Sequence, residues 1–112
     1  MSVTVSMKLN AIHEMVGISF RLMARLLGTR PETISRWRSG RVDPHPDMLR
    51  KVAVLAWLAK ELSEFYSPDE AKVWLLSPQR LLGNASPADC LEQGRQDEVI
   101  GLIKQLQDGA FV

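Results

Sequence analysis

Apolar residues recur along this chain at helical spacing and almost never alternate. Leu9, Ile12 and Val16 share one face of a first helix, which Gly17 would end. Ser19 can cap a second segment, with Phe20, Ala24 and Leu27 inward, Arg21 and Arg25 outward, and Gly28 as its stop. Pro31 suits the first position of a third helix, where its missing N–H is not needed, and that helix stops at Gly40. The loop "RVDPHP" cannot be crossed by a helix. The longest helix is expected over residues 47–65 with Asp47 as its cap. Its apolar set runs from Met48 through Trp57, Leu58 and Leu62 to Phe65, too wide for one stripe, so it should be buried on more than one side.

Ser67-Pro68-Asp69-Glu70 has the form of a capping box and opens "EAKVWLL". Ser77-Pro78 interrupts that helix, and "QRLLG" adds a turn. Ser86-Pro87-Ala88-Asp89 repeats the device, with Gly94 as stop. The last helix, "RQDEVIGLIKQLQD", places Val99, Leu102, Ile103 and Leu106 on one face. Gly109 should end it with a left-handed cap, after which Ala110, Phe111 and Val112 are apolar throughout. "VTVS" at residues 3–6 alternates but has no evident strand partner. The expected fold class is all-α: a helix-turn-helix region over residues 1–46, a connecting long helix over 47–66, and a small helical half over 67–112.

Charge sharpens this division. Residues 1–60 carry ten bases against four acids, whereas residues 61–112 carry four bases against nine acids. A basic half suits a polyanion and an acidic half does not, so two jobs are expected. At 112 residues, 46% hydrophobic and 24% charged, the chain suits one globular domain, or two very small ones sharing a core. No apolar run approaches the ~20 residues of a membrane helix. Without a signal-like N-terminus, and with Cys90 as the single cysteine, cytoplasm is the default location.

The stretch "FRLMARLLGTRPETISRWRSGR" has helix-turn-helix form. Ala24 sits where two helices cross closely, Gly28 takes the turn, and Ile34 and Trp37 anchor the second helix. Arg30, Glu32, Thr33, Ser35 and Arg36 then face outward, where such helices read base edges. Arg21, Arg38 and Arg41 suit phosphate contacts, which position without specifying. His13 and His45 lack partners at metal-ligand spacing. Cys90 suits a buried apolar role, and no glycine run could cradle a phosphate. Neither metal, cofactor nor enzymatic activity is expected.

The segment from Ala24 to Gly40 resembles an Xre-type, phage-repressor-like helix-turn-helix. It departs from that pattern at Arg30, where a capping Ser or Thr is usual, so either the helix start shifts or Arg30 is used for DNA. The second half is similar to the toxin-binding domain shared by Xre, MbcA and ParS antitoxins, and most like the MbcA-like members. The matching blocks are "VWLLSPQRLLG", "SPADCL", "GRQDEV" and a last helix ending in Gly109-Ala110-Phe111-Val112. The resemblance implies an antitoxin whose partner is a RES-domain toxin that consumes NAD, and whose C-terminal region occludes the toxin's site. It also implies operator DNA as a second partner, with repression of the shared operon. On this resemblance the toxin-binding candidates are Arg80, Arg95, Asp97, Glu98, Gly109, Ala110, Phe111 and Val112. A homodimer within a larger complex is expected, with Trp57, Leu58 and Leu62 as candidate contacts. The alternative is a helix-turn-helix regulator whose second half serves only dimerisation.

Overall fold

Helix punctuation written into the sequence sets most of the observed boundaries. The computed structural model describes residues 4–109, arranged as seven α-helices and one 3-10 turn with no strand among the described residues. Helix α1 spans Val5–Val16, α2 Phe20–Leu27, α3 Pro31–Arg38, α4 Pro46–Ser63, α5 Pro68–Leu76, α6 Pro87–Glu92 and α7 Gln96–Gln107, with the 3-10 turn Arg80–Leu82 between α5 and α6. The chain is all-α, as its spacing predicts.

Side-chain caps open four of the helices. Thr4 accepts from the Met7 N–H, Ser19 from Leu22, Ser67 from Glu70 and Ser86 from Asp89. The Thr4 cap explains the alternating "VTVS": its last two residues are the first turn of α1. At α5 the capping box closes fully. The Ser67 N–H donates to Glu70 Oε1 at 2.9 Å while the Glu70 N–H donates to Ser67 Oγ at 3.3 Å. These bonds hold the Glu70 carboxyl below its ordinary pKa, the Ser67 backbone N–H contributing most.

Helix α4 begins differently from the expectation. Its N-cap is His45, which makes no side-chain cap bond, and Pro46 is its first residue, so Asp47 lies in the first turn rather than at the cap. Proline's fixed φ makes it a natural first helical residue, and Asp47 still meets the positive end of the helix dipole.

Helix α4 packs along α1 and also touches α2, α5 and α7. Val52, Leu55, Leu58, Ala59 and Leu62 are buried, while Trp57 is half-buried. This accounts for the breadth of its apolar surface. It also removes Leu58 and Leu62 from the candidate dimer contacts, because both are core. Full burial of such a side chain stabilises by ~1.5–3 kcal/mol relative to exposure. One cluster of buried residues, from Leu9 to Ile103, draws on both the basic and the acidic half. Helix α2 packs on α6, and α1 on α5, so the halves meet directly as well as through α4.

Gly17 shows how tightly they meet. Its φ of 63° is left-handed, and an added Cβ would lie 3.2 Å from the Pro68 carbonyl oxygen. Gly17→Ala therefore meets backbone strain and a close backbone contact together, and should destabilise by ~1–3 kcal/mol. Urea denaturation measures this; a change under about 0.3 kcal/mol would contradict the close approach.

Candidate functional site

Two surfaces hold the candidate residues. The first is built on α2 and α3. Ala24 is buried, Gly28 is left-handed with φ 72°, and the Thr29 N–H donates to the Ala24 carbonyl at 2.8 Å, closing a short turn. Ile34 and Trp37 seat α3 in the core, as their spacing predicts. Arg30 is the N-cap residue and makes no side-chain cap bond, with Pro31 directly after it. The helix start thus does not shift to use Thr29. Glu32, Ser35 and Arg36 are exposed, at positions that share one helix face, and Thr33 is half-buried. Arg30 and Arg41 are exposed at either end of the helix.

Arg38 is held within the fold. Its guanidinium lies 3.7 Å from the centroid of the Phe20 ring, and its Nε donates to Asn10 Oδ1 at 3.4 Å. His13 stacks on the same phenyl ring at 4.5 Å between centroids, and its Nδ1 donates to the Ile18 carbonyl at 2.6 Å. Phe20 is accordingly half-buried, packed by His13 and Arg38 rather than taken fully inward. Such a stack ties α1, α2 and α3 together, at ~0.5–1 kcal/mol for the cation–π contact. Arg25 is engaged too: its Nε donates to Glu92 Oε2 at 3.0 Å, and Asp89 lies 4.0 Å away, linking α2 to α6.

The second surface is built on the 3-10 turn, α7 and the segment from Tyr66 through α5. Arg95 and Glu98, both toxin-binding candidates, meet in a two-pronged pair. Arg95 Nε donates to Glu98 Oε2 at 2.7 Å and a terminal nitrogen donates to Oε1 at 2.9 Å. The same guanidinium donates to Gln93 Oε1 at 3.1 Å and to the Leu82 carbonyl at 3.4 Å. The pair raises the Arg95 pKa further and lowers that of Glu98. Both charges are thus stabilised, and the start of α7 is clasped to the 3-10 turn. Asp97 is exposed beside them in the first turn of α7, and Arg80 is exposed on the 3-10 turn. Gly109 is exposed and left-handed at φ 69°, two residues past the end of α7. Ala110, Phe111 and Val112 lie outside the described residues. Cys90 is fully buried, and burial pushes its thiol pKa up, as suits an unreactive side chain.

Over 99 residues, covering 88% of each chain, the sequence is 32% identical to the mycobacterial cidal antitoxin MbcA of Mycobacterium tuberculosis, and equally to that of Mycobacterium bovis. The chain belongs to the MbcA antitoxin family. Its fold agrees: a chain from the crystal structure of the M. tuberculosis MbcT–MbcA toxin–antitoxin complex superposes with a TM-score of 0.82 at 29% identity, covering 99% of this chain and all of that one. No family model matches the sequence.

This MbcA-family chain also carries surface features that helical spacing alone does not reveal. Two open recesses of about 470 and 330 Å³ adjoin and share Tyr66, Trp74 and Gln79. Trp74 is buried, yet it lines both. The available signal was the run Val73-Trp74-Leu75-Leu76, four successive apolar residues on a nine-residue helix, which cannot all face one core. A third recess of about 380 Å³ lies between α4 and α7, lined by Ala53, Val54, Trp57 and Ile100 with Arg50 and Lys104.

Proposed function

We propose that this chain is the antitoxin of a two-protein system, binding a RES-domain, NAD-consuming toxin in the cytoplasm and occluding its active site. The observation that carries this is the 32% identity to MbcA, an antitoxin by name, across 88% of both chains. The chain performs no chemistry of its own. Its residues 67–112 provide the toxin-binding half, residues 47–66 the connection, and residues 1–46 the DNA-facing half. Arg80, Asp97 and the Arg95–Glu98 clasp form the toxin-facing rim beside Gly109, and Ala110, Phe111 and Val112 enter the toxin's pocket. Co-expression with the toxin from the neighbouring reading frame tests the reading. Growth should be rescued even when Arg30, Arg36 and Arg41 are all replaced by Ala; failure of the wild-type chain to rescue would overturn it.

The first half is proposed to bind operator DNA and repress the shared operon. The exposed row Glu32, Ser35 and Arg36, with Arg30 at the helix start, supports major-groove reading. Arg36→Ala should cost ~1–3 kcal/mol and relax sequence choice. Arg41→Ala should weaken all sequences equally and flatten the log-affinity against log-salt slope by ~1. Arg38→Ala should in addition reduce stability, because its guanidinium rests on Phe20. Titrations at several salt concentrations on DNA upstream of the gene separate these effects, and absence of binding with or without toxin would leave α2 and α3 a scaffold.

The active unit is proposed to be a homodimer, joined through the α4–α7 recess at Trp57, which packs against the core yet remains half-exposed at the recess. Sedimentation at micromolar concentration should give a dimer for the wild type and a monomer for Trp57→Glu. A wild-type monomer would contradict this.

A further inference from the structure

Tyr66, Trp74 and Gln79 line two joined recesses on the acidic half. Among the described residues, four of the seven exposed large apolar side chains fall within residues 65–81: Phe65, Val73, Leu76 and Leu81. Val73 is 64% exposed and Leu81 57%. Val73 and Leu81 line a groove whose walls come from Tyr66, α5, the 3-10 turn and α7. Exposed apolar side chains gathered at a recess mark an interaction site more often than a neutral exterior. The groove is also polarised: Asp69 and Glu70 fringe one end and Arg80 the other.

We infer that the groove lined by Tyr66, Val73, Trp74, Gln79, Leu81 and Leu106 is a toxin-docking site, distinct from the C-terminal residues, that takes an apolar segment of the toxin carrying a basic side chain toward Asp69 and Glu70. This rests on the antitoxin reading above. Two observations select the toxin as occupant. First, the surrounding half carries four bases against nine acids, so it favours a basic partner. A second copy of this chain would have to offer its basic half. That contact would cover the arginines assigned to DNA. Second, Leu106 lines one end of the groove, three residues before Gly109. Residues 110–112 span at most ~10 Å when extended, so a protein seated in the groove is the one within their reach. Docking in the groove would deliver the tail to the same partner and raise its effective concentration there.

The test uses full-length protein with Val73→Asp and Leu81→Asp together, and Leu81→Ser alone as a milder variant should the double one fold poorly. Each is titrated calorimetrically against the purified toxin from the neighbouring reading frame, and each is melted alone. The double variant should bind at least ~100-fold more weakly, and the single variant ~10-fold, with melting temperatures unchanged. Wild-type affinity in both variants would overturn the groove while leaving the antitoxin reading intact. No binding by the wild type would instead sink the antitoxin reading, and the groove assignment with it. Loss of self-association in the variants with unchanged toxin affinity would make a second copy the occupant, which also overturns the inference.

Discussion

Removal of residues 110–112 should abolish neutralisation while leaving the melting temperature unchanged. Phe111 carries the expectation. Burying its ring in a partner's pocket gains ~1.5–3 kcal/mol, equivalent to a ~10- to 150-fold loss of affinity on deletion. Loss of the plug itself should matter more, because a toxin still bound but unblocked remains active. The unchanged melting temperature follows from the construction of α7. Its buried residues, Val99, Leu102 and Ile103, all precede Gln107, and Gly109 turns left-handed after it. Protection assays and thermal melts on the truncated chain decide between two uses of these residues. Full protection would sink the plug. An earlier melt would mean that Phe111 serves as a cap on α7.

Trp37→Ala should produce the largest loss of stability of any substitution considered, ~3–5 kcal/mol. The side chain is 5% exposed and, with Ile34, anchors α3 in the buried cluster shared by both halves. Set against a total stability of ~5–15 kcal/mol, this leaves little margin. Because α2 packs on α6 and α1 on α5, the loss should reach the acidic half, and urea unfolding by circular dichroism and by fluorescence of the remaining tryptophans should coincide. A loss under 1 kcal/mol, or two separated transitions, would contradict a common core.

What the sequence made legible was local. Ser19, Ser67 and Ser86 cap helices with bonds three residues long, and Gly17, Gly28 and Gly94 are left-handed at the ends expected of them. Helical spacing also identified Ile34 and Trp37 as anchors and α4 as a helix buried on several sides. Spacing could not say what covers each side of α4, so Leu58 and Leu62 read equally well as interface and as core. It also could not show Arg25 meeting Glu92, 67 residues away, or Arg38 resting on Phe20. Both arginines are outward by helical period, and only the packing of distant helices reveals that they are engaged. Arg95 and Glu98 were candidates only through the resemblance of "GRQDEV" to the antitoxin motif, and the bond to the Leu82 carbonyl depends on where the 3-10 turn falls. The groove around Tyr66 and Trp74 is likewise a product of assembly, formed where α5, the 3-10 turn and α7 converge.

The central claim is inhibition by occlusion, and the most direct measurement is NAD consumption by the purified neighbouring toxin as this protein is titrated in. Occlusion predicts that consumption falls linearly to zero at a fixed stoichiometry and that the truncated chain lacking residues 110–112 fails to inhibit at the same ratio. Undiminished NAD consumption in the presence of saturating wild-type protein would contradict the account.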